Sequence, residues 1–166
     1  LVNASVSVEP PMLVDVVNVT SAADMADVVK SKAAEQDIII MTAAVADFCP
    51  SHPADEKIKK NDSSYESVIE LERTEDILSY LGAHKAKGQL ICGFSMETQN
   101  MLENSKAKLA NKNAEMIVAN NLKVAGAGFG TDTNVVTLIT ADDCTELEIM
   151  DKSCVAARIM DRLLKM

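Results

Sequence analysis

The sequence predicts an α/β fold of the three-layer, Rossmann-like kind, with a mainly parallel sheet and helices on both faces. Apolar runs rich in β-branched residues, such as Asp37-Ile38-Ile39-Ile40-Met41, are typical of buried strands. Segments with helical spacing of apolar residues alternate with these runs through the first two thirds of the chain. The 166 residues, 48% of them hydrophobic, suffice for a substantial core. We see no internal repeat and predict a single domain over residues 1–166.

The first half of the chain is divided by its β-branched runs, helical spacings and capping residues. Leu1-Val2 looks like the tail of a strand. A hydroxyl residue directly before a helical segment can accept the free N–H groups of the first turn. On these grounds we predict a strand from Leu13 to Val19, a helix from Ala22 to Ala34 capped by Thr20 or Ser21, a strand from Ile38 to Met41, a polar loop from Asp47 to Asp62, a strand from Ser67 to Leu71, and a helix from Glu75 to His84 capped by Thr74.

The second half continues the alternation and then departs from it. The helical segments place their apolar residues on one side, as amphipathic helices do. We predict strands from Leu90 to Phe94 and from Glu115 to Ala119, helices from Gln99 to Lys112 and from Cys154 to Leu164, a turn region from Ala125 to Gly130, and two further segments, Val135 to Ile139 and Leu147 to Met150, that could pair as strands.

Composition excludes several classes of protein. A net charge of −9 argues against a general basic surface, so we predict no nucleic-acid partner. No apolar run approaches the length of a membrane span and no secretory leader opens the chain, so we predict no membrane association. The cysteines form no C-x-x-C pair, which favours a reducing cytoplasm over a zinc site or a disulfide framework. Cys92, within an apolar run, is predicted to be a buried thiol.

The stretch from Ala43 to Lys60 is the strongest candidate for a site. Its alanines would let a flat ligand approach, and Asp47 follows a strand where ligands sit in open α/β sheets. Lys57, Lys59 and Lys60 come on a polar loop and suit a substrate that carries phosphates. The alternatives are ordinary: core alanines, a turn-capping aspartate and a solvated lysine run.

Two further features allow similar pairs of interpretations. Lys108 and Lys112 are four residues apart on a predicted helix, so they either grip a triphosphate or form a solvated face. Phe94, at the end of a predicted strand, either stacks on a base or packs in the core.

Five motifs occur together and carry a family resemblance. They are Ala43-Ala44-Val45-Ala46-Asp47-Phe48, Lys57-Ile58-Lys59-Lys60, Gly93-Phe94-Ser95-Met96-Glu97-Thr98, Ile117-Val118-Ala119-Asn120-Asn121 and Phe129-Gly130-Thr131-Asp132-Thr133-Asn134. In this order they resemble phosphopantothenoylcysteine synthetase, the cysteine-ligating family of coenzyme A biosynthesis. The resemblance covers nearly the whole chain.

The resemblance implies a reaction and a set of residues. CTP would activate 4′-phosphopantothenate as an acyl-cytidylate, with Mg²⁺ bridging the phosphate oxygens, and L-cysteine would then displace CMP. Lys57 would be the catalytic lysine beside the acyl phosphate. Glu75 departs from the proline that the family often has. The nucleotide-binding residues implied are Met41, Thr42, Ala43, Asp47, Lys57, Glu75, Asp76, Ile77, Leu78, Phe94, Lys108 and Lys112.

The resemblance also implies an assembly. The family is dimeric, so we expect a homodimer. In most bacteria it forms the C-terminal half of a bifunctional protein, and FMN belongs to the fused decarboxylase half rather than to this chain. The family has an upstream strand and glycine-rich loop that bind phosphopantothenate. We therefore expect the first strand and its loop to be missing here, and the 166 residues alone to form the acyl-cytidylate poorly.

Two other function classes are weighed against this interpretation. A dehydrogenase binding NAD(P) would need Gly-x-Gly-x-x-Gly after the first strand, and Gly126-Ala127-Gly128-Phe129-Gly130 does not open a helix after a strand. A non-catalytic nucleotide-binding module is the other alternative. Turnover of CTP, phosphopantothenate and cysteine distinguishes all three. We expect the loop after Asp47 to become ordered when nucleotide binds.

Overall fold

A computed structural model describes residues 1–166 apart from Ser5, Ser7, Asp55, 58–67, 98–99, 122–127 and Phe129. The chain divides into two compact units. The first comprises Leu1–Val28 and Ala44–Asp76, and the second comprises Val29–Ala43 and Ile77–Met166. A single domain over residues 1–166 stays a prediction.

The described residues form eleven strands and four helices. The strands are β1 (Val2–Asn3), β2 (Val17–Asn18), β3 (Ile38–Met41), β4 (Phe48–Pro50), β5 (Leu71–Arg73), β6 (Leu90–Glu97), β7 (Met116–Asn121), β8 (Thr133–Asn134), β9 (Val136–Ile139), β10 (Cys144–Glu146) and β11 (Met150–Asp151). The helices are α1 (Ala22–Ala33), α2 (Ile77–His84), α3 (Met101–Asn111) and α4 (Lys152–Leu163).

The second unit contains a five-stranded sheet in the order β10-β9-β7-β6-β3. Strand β6 pairs in parallel with β3 on one side and with β7 on the other. Strands β9 and β10 then add antiparallel. Helices intervene between the parallel strands along the chain, as crossover connections require. The predicted α/β class is confirmed.

Burial follows the position of each strand in this sheet. The side chains of Ile91, Cys92 and the run Met116–Ala119 are buried, because β6 and β7 are the central strands. Helix α4 packs Val155, Ile159 and Leu163 into the same cluster as Cys92 and Met116. The apolar face predicted for this last helix is therefore confirmed.

The first unit holds two small sheets. Strands β1 and β2 pair in parallel, and β4 pairs antiparallel with β5, with Phe48 opposite Arg73. The predicted strand from Leu13 to Val19 is wrong over most of its length, since only β2 forms and Leu13 has φ 64° with an exposed side chain. The polar loop predicted from Asp47 is interrupted at once by β4. Strand β5 begins at Leu71, which is the last residue of the strand predicted from Ser67 to Leu71.

Helix α1 begins with a reciprocal cap. The Asp24 N–H donates to Ser21 Oγ at 3.0 Å, and the Ser21 N–H donates to Asp24 Oδ2 at 3.0 Å. Hydrogen bonds from Ser21 and Thr20 to the Asp24 carboxylate lower the pKa of this group. The predicted cap by Ser21 is confirmed. The predicted cap by Thr74 is wrong, because α2 begins later, at Ile77, and the Thr74 hydroxyl donates to the Ala46 carbonyl at 2.5 Å.

The pairing predicted between Val135 to Ile139 and Leu147 to Met150 is wrong except at Leu147, whose N–H donates to the Val136 carbonyl at 2.9 Å. Strand β9 pairs with β10, with Leu138 opposite Thr145. Met150 instead lies opposite Asn134, in the pair formed by β11 and β8. A tight turn after Ile139 brings the residues nearest in sequence together first, which the apolar pattern alone did not reveal.

Gly82 lies where α2 meets the residue that follows α3. A Cβ atom on Gly82 would lie 1.8 Å from the backbone oxygen of Lys112. The Asn113 side chain donates from Nδ2 to the Gly82 carbonyl at 2.7 Å. Only a residue without a side chain allows this approach, which explains a glycine inside a helix despite its poor helix propensity.

We predict that Gly82→Ala destabilises the protein by roughly 1–3 kcal/mol, because the new methyl group must displace backbone. The control is Ala83→Gly at the neighbouring exposed position, which should cost about 1 kcal/mol from helix propensity alone. Both opposite substitutions should therefore lower the urea midpoint. A gain in stability for Gly82→Ala would show that the close approach does not exist.

Candidate functional site

The carboxyl ends of the parallel strands gather several expected residues of the second unit. Met41 ends β3 and pairs with Gly93 of β6, directly before Phe94. Thr42 and Ala43 follow β3 and are exposed. An exposed Ala43 contradicts the core-packing interpretation of this alanine. Crevices at the carboxyl ends of parallel strands are where open α/β sheets bind ligands.

Gly93 allows α2 to pack closely on β6. A Cβ atom at Gly93 would lie 2.6 Å from Leu78 Cδ2 and 3.0 Å from Ile117 Cδ1. The Leu78 side chain occupies this space, and Ile77 beside it is buried. The start of α2 is thus fixed over the strand that carries Phe94.

Phe94 differs from its prediction in position. It lies in the interior of β6, which continues to Glu97, and it is half-buried against the core cluster. The core-packing interpretation is confirmed, and stacking on a base stays a prediction. Its carbonyl accepts a hydrogen bond from Lys108 Nζ at 2.8 Å. The hydroxyls of Ser95 and Ser105, both buried, hold β6 to α3 at 2.8 Å.

The ammonium group of Lys112 contacts a different element from the one that the Lys108 ammonium contacts. Helix α3 ends at Asn111, and Lys112 is its C-cap. Lys112 Nζ donates to Ser79 Oγ on α2 at 2.9 Å. Both lysines are half-buried, so the interpretation as a solvated face is wrong. The Lys108 ammonium thus contacts β6, and the Lys112 ammonium contacts α2.

Sequence reasoning missed three residues around Lys112. Ser79 accepts its ammonium, Gly82 makes room for its carbonyl, and Asn113 bonds back to α2. The isolated glycine within a helical pattern was the one usable signal, since such a glycine usually has a packing reason. Ser79 carries no signal in the sequence.

The first unit brings Asp47 to the segment before α2. The Thr74 N–H donates to the Asp47 carbonyl at 3.0 Å. Glu75 and Asp76 follow Thr74 and precede the helix, whereas the sequence predicted that the helix includes them. Lys57 is exposed. Among the described residues, no hydrogen bond joins Lys57 to Asp47.

Several expected residues lie outside the described part of the chain. These are Ile58, Lys59 and Lys60 of the lysine motif, with the rest of the predicted loop to Asp62, and residues 125–127 with Phe129 of the predicted turn region. Within the described ranges, no cluster of three or more His, Cys, Asp or Glu side chains could hold a metal ion. No helix in these ranges is both long and apolar enough to cross a bilayer.

Cys92 lies two residues before Phe94 on β6. Its side chain is fully buried, and burial raises the pKa of the thiol to about 12. All four cysteines are free thiols, and Cys144 and Cys154 are exposed. The predicted buried thiol is confirmed.

Comparison with known proteins identifies the family. The model of the DNA/pantothenate metabolism flavoprotein C-terminal domain matches residues 1–166. The chain belongs to this family. The resemblance to phosphopantothenoylcysteine synthetase, predicted from five motifs, agrees with it.

Two relatives show how similar this chain is to known proteins. The chain is 45% identical over 165 residues to the coenzyme A biosynthesis bifunctional protein CoaBC of Bacillus subtilis, covering 98% of this chain and 40% of that protein. It is 44% identical over 152 residues to a cysteine/cysteine sulfinic acid decarboxylase from an unknown prokaryotic organism, covering 91% and 42%. The chain therefore spans about two fifths of the length of these relatives.

A crystal structure of the C-terminal domain of CoaBC is similar to this member of the flavoprotein C-terminal domain family. The TM-score is 0.80 at 40% sequence identity, covering 99% of this chain and 74% of that one. The Rossmann-like class predicted from the sequence is therefore confirmed by a solved structure of the same family.

We predict that a thiol reagent distinguishes the cysteines. In the folded protein at pH 8, Cys144 and Cys154 should react quickly, whereas Cys92 should react only in denaturant, because it is buried and protonated at that pH. The variant Cys92→Ser should lack this slow thiol and is the assignment control. Labelling of Cys92 at the rate of the exposed thiols would contradict the burial of β6.

Proposed function

We propose that this chain supplies the ligase chemistry of phosphopantothenate–cysteine ligase in coenzyme A biosynthesis, with CTP as co-substrate. The observation that carries the proposal is the pair Lys108 and Lys112, each half-buried and held beside the elements that the family resemblance assigns to the nucleotide. Membership in the family and 45% identity to a coenzyme A biosynthesis protein support it.

The proposed reaction has two steps. A carboxylate oxygen of 4′-phosphopantothenate attacks the α-phosphorus of CTP, and the bond to pyrophosphate breaks. The amine of L-cysteine then attacks the acyl carbon, loses a proton and displaces CMP. Both steps develop negative charge on phosphate oxygens, which positioned cations stabilise.

Lys108 and Lys112 suit the triphosphate because their ammonium groups are already ordered. Lys108 Nζ donates to the Phe94 carbonyl at 2.8 Å, and Lys112 Nζ donates to the Ser79 hydroxyl at 2.9 Å. A bond from an ammonium to an anionic phosphate oxygen is stronger than one to a carbonyl or a hydroxyl, which favours nucleotide binding at these lysines. The strand end at Met41, Thr42 and Ala43 is the proposed place of the base, with Phe94 beside it.

Other roles follow from the family resemblance alone. We propose that Asp47, with Glu75 and Asp76, contacts the cytidine side of the nucleotide, and that Lys57 stands beside the acyl phosphate. Mg²⁺ would neutralise phosphate oxygens of the nucleotide. Within the described ranges, no group of three or more His, Cys, Asp or Glu side chains could hold the ion, so the nucleotide itself would bring it. We also propose a homodimer, and FMN only in a fused decarboxylase part.

A decarboxylase is the second candidate, since one relative carries that name. This chain covers 42% of that relative, and decarboxylation of cysteine requires a group that accepts electrons from the substrate.

The complete protein should be incubated with CTP, phosphopantothenate and cysteine. CMP released only with all three supports the ligase, whereas CO₂ from cysteine without CTP supports the decarboxylase. Nucleotide binding with neither product indicates a non-catalytic module.

We predict that CTP binds more tightly than ATP, and that Lys108→Ala and Lys112→Ala each weaken binding. The loss of one charge-assisted contact should cost on the order of 1.5–3 kcal/mol, or roughly tenfold to 150-fold in Kd. Calorimetry on the complete protein measures this.

The matched control for these lysines is Lys106→Ala, an exposed lysine on the same helix whose loss should change Kd little. Equal losses of CTP affinity in all three variants would show that the effect comes from the change in net charge alone. Unchanged affinity in the first two would remove these lysines from the site, and a preference for ATP would change the assigned nucleotide.

We predict that Lys57→Gln keeps the fold and most CTP affinity but loses turnover, because the interaction is made mainly in the transition state. Steady-state kinetics beside a thermal melt measure this in the complete protein. Lys87→Gln, an exposed turn lysine, is the control and should retain activity. Unchanged turnover in Lys57→Gln would make Lys57 a surface lysine.

A further inference from the structure

The main chain at Lys112 is fixed on several sides. Its N–H donates to the Lys108 carbonyl at 2.9 Å, and its own carbonyl fits against Gly82. The next residue, Asn113, has φ 47° and bonds to the Gly82 carbonyl. Lys85 Nζ donates to the Asn113 carbonyl at 2.7 Å. The Lys112 Cα position is therefore set by its packing against α2 rather than by α3 alone.

A second layer of contacts holds Lys85 itself. Its ammonium forms an ion pair with Glu115, and the two side chains are only 21% and 25% exposed. The second carboxylate oxygen of Glu115 accepts the Ile91 N–H at 2.8 Å. This links the turn that carries Lys112 to the beginning of the central strand β6.

The side chain of Lys112 is then directed by Ser79. The two residues are 33 positions apart in sequence, and the ammonium donates to the hydroxyl oxygen at 2.9 Å. Ser79 is the third residue of α2 and directly follows Leu78. A free lysine side chain loses up to about 2 kcal/mol of conformational entropy when it is ordered. The serine therefore restrains Lys112 before any ligand arrives.

We propose that Ser79 is a positioning residue that acts through Lys112 and sets the affinity for the nucleotide triphosphate. The inference rests on the proposed function, and it goes beyond that function by assigning a role to a residue with no signal in the sequence. The hydroxyl holds the ammonium at the first turn of α2, where backbone N–H groups also favour an anion. Ordering in advance lowers the cost of binding.

The test is a double-mutant cycle on CTP affinity in the complete protein. Ser79→Ala should weaken CTP binding by roughly threefold to tenfold, and it should raise KM for CTP with kcat unchanged. In a Lys112→Ala background the same substitution should produce no further change, because its effect passes through the ammonium. A merely structural role would not depend on Lys112.

Conservative variants separate the hydroxyl from the volume of the side chain. Ser79→Thr keeps an oxygen acceptor and should retain affinity, whereas Ser79→Cys keeps the size but accepts weakly and should behave as Ser79→Ala does. The matched control is Ser153→Ala, an exposed serine in the first turn of α4, which should change nothing. Thermal melts verify that each variant is folded.

The outcomes separate this inference from the proposed function. If the wild-type protein binds no nucleotide, the proposed function fails and this inference fails with it. If the wild type binds CTP but Ser79→Ala and Ser79→Cys bind equally well, Ser79 does not position Lys112 and the ligase proposal stands. Equal losses in both Lys112 backgrounds would likewise overturn action through Lys112. Loss in the wild-type background alone, with retention in Ser79→Thr, confirms it.

Discussion

The parallel pairing of β6 with both β3 and β7 is the constraint on which the rest of the second unit depends. It buries both faces of β6, requires apolar residues along it and puts the carboxyl ends of three strands at one edge. Gly93 in this strand leaves the space that Leu78 of α2 fills. The helix start and the strand end are thus fixed together, and candidate ligand contacts on each are positioned by the core.

Two cations of the second unit, Lys108 and Lys112, are held in place before any ligand is present. Phe94 and Ser79 supply neutral oxygen acceptors for Lys108 and Lys112, so neither ammonium is a freely rotating surface charge. A carbonyl or a hydroxyl competes weakly with a phosphate oxygen for an ammonium group, so these two hydrogen bonds are compatible with ligand binding. In a chain of net charge −9, such locally held cations also provide the charge contrast that an anionic ligand needs.

Local patterns predicted the elements that local physics determines. Three features could be predicted from the sequence: the strand from Ile38 to Met41, the cap at Ser21 and the apolar face of α4. Propensity, capping and periodicity act over a few residues, so the local sequence determines them. The pairing of β4 with β5 could not be predicted, because Phe48 and Arg73 are far apart in sequence and become neighbours only in the folded chain. The contact between Ser79 and Lys112 was hidden for the same reason. The family resemblance proposed both lysines, but it did not indicate what holds them.

The most direct test of the central claim is exchange of labelled pyrophosphate into CTP by the complete protein, with cysteine absent. Reversible formation of an acyl-cytidylate from the carboxylate of phosphopantothenate would return label to CTP. We predict exchange that requires 4′-phosphopantothenate and stops without it. Exchange that proceeds without phosphopantothenate, or no exchange in a preparation that makes the amide once cysteine is added, would contradict activation through an acyl-cytidylate.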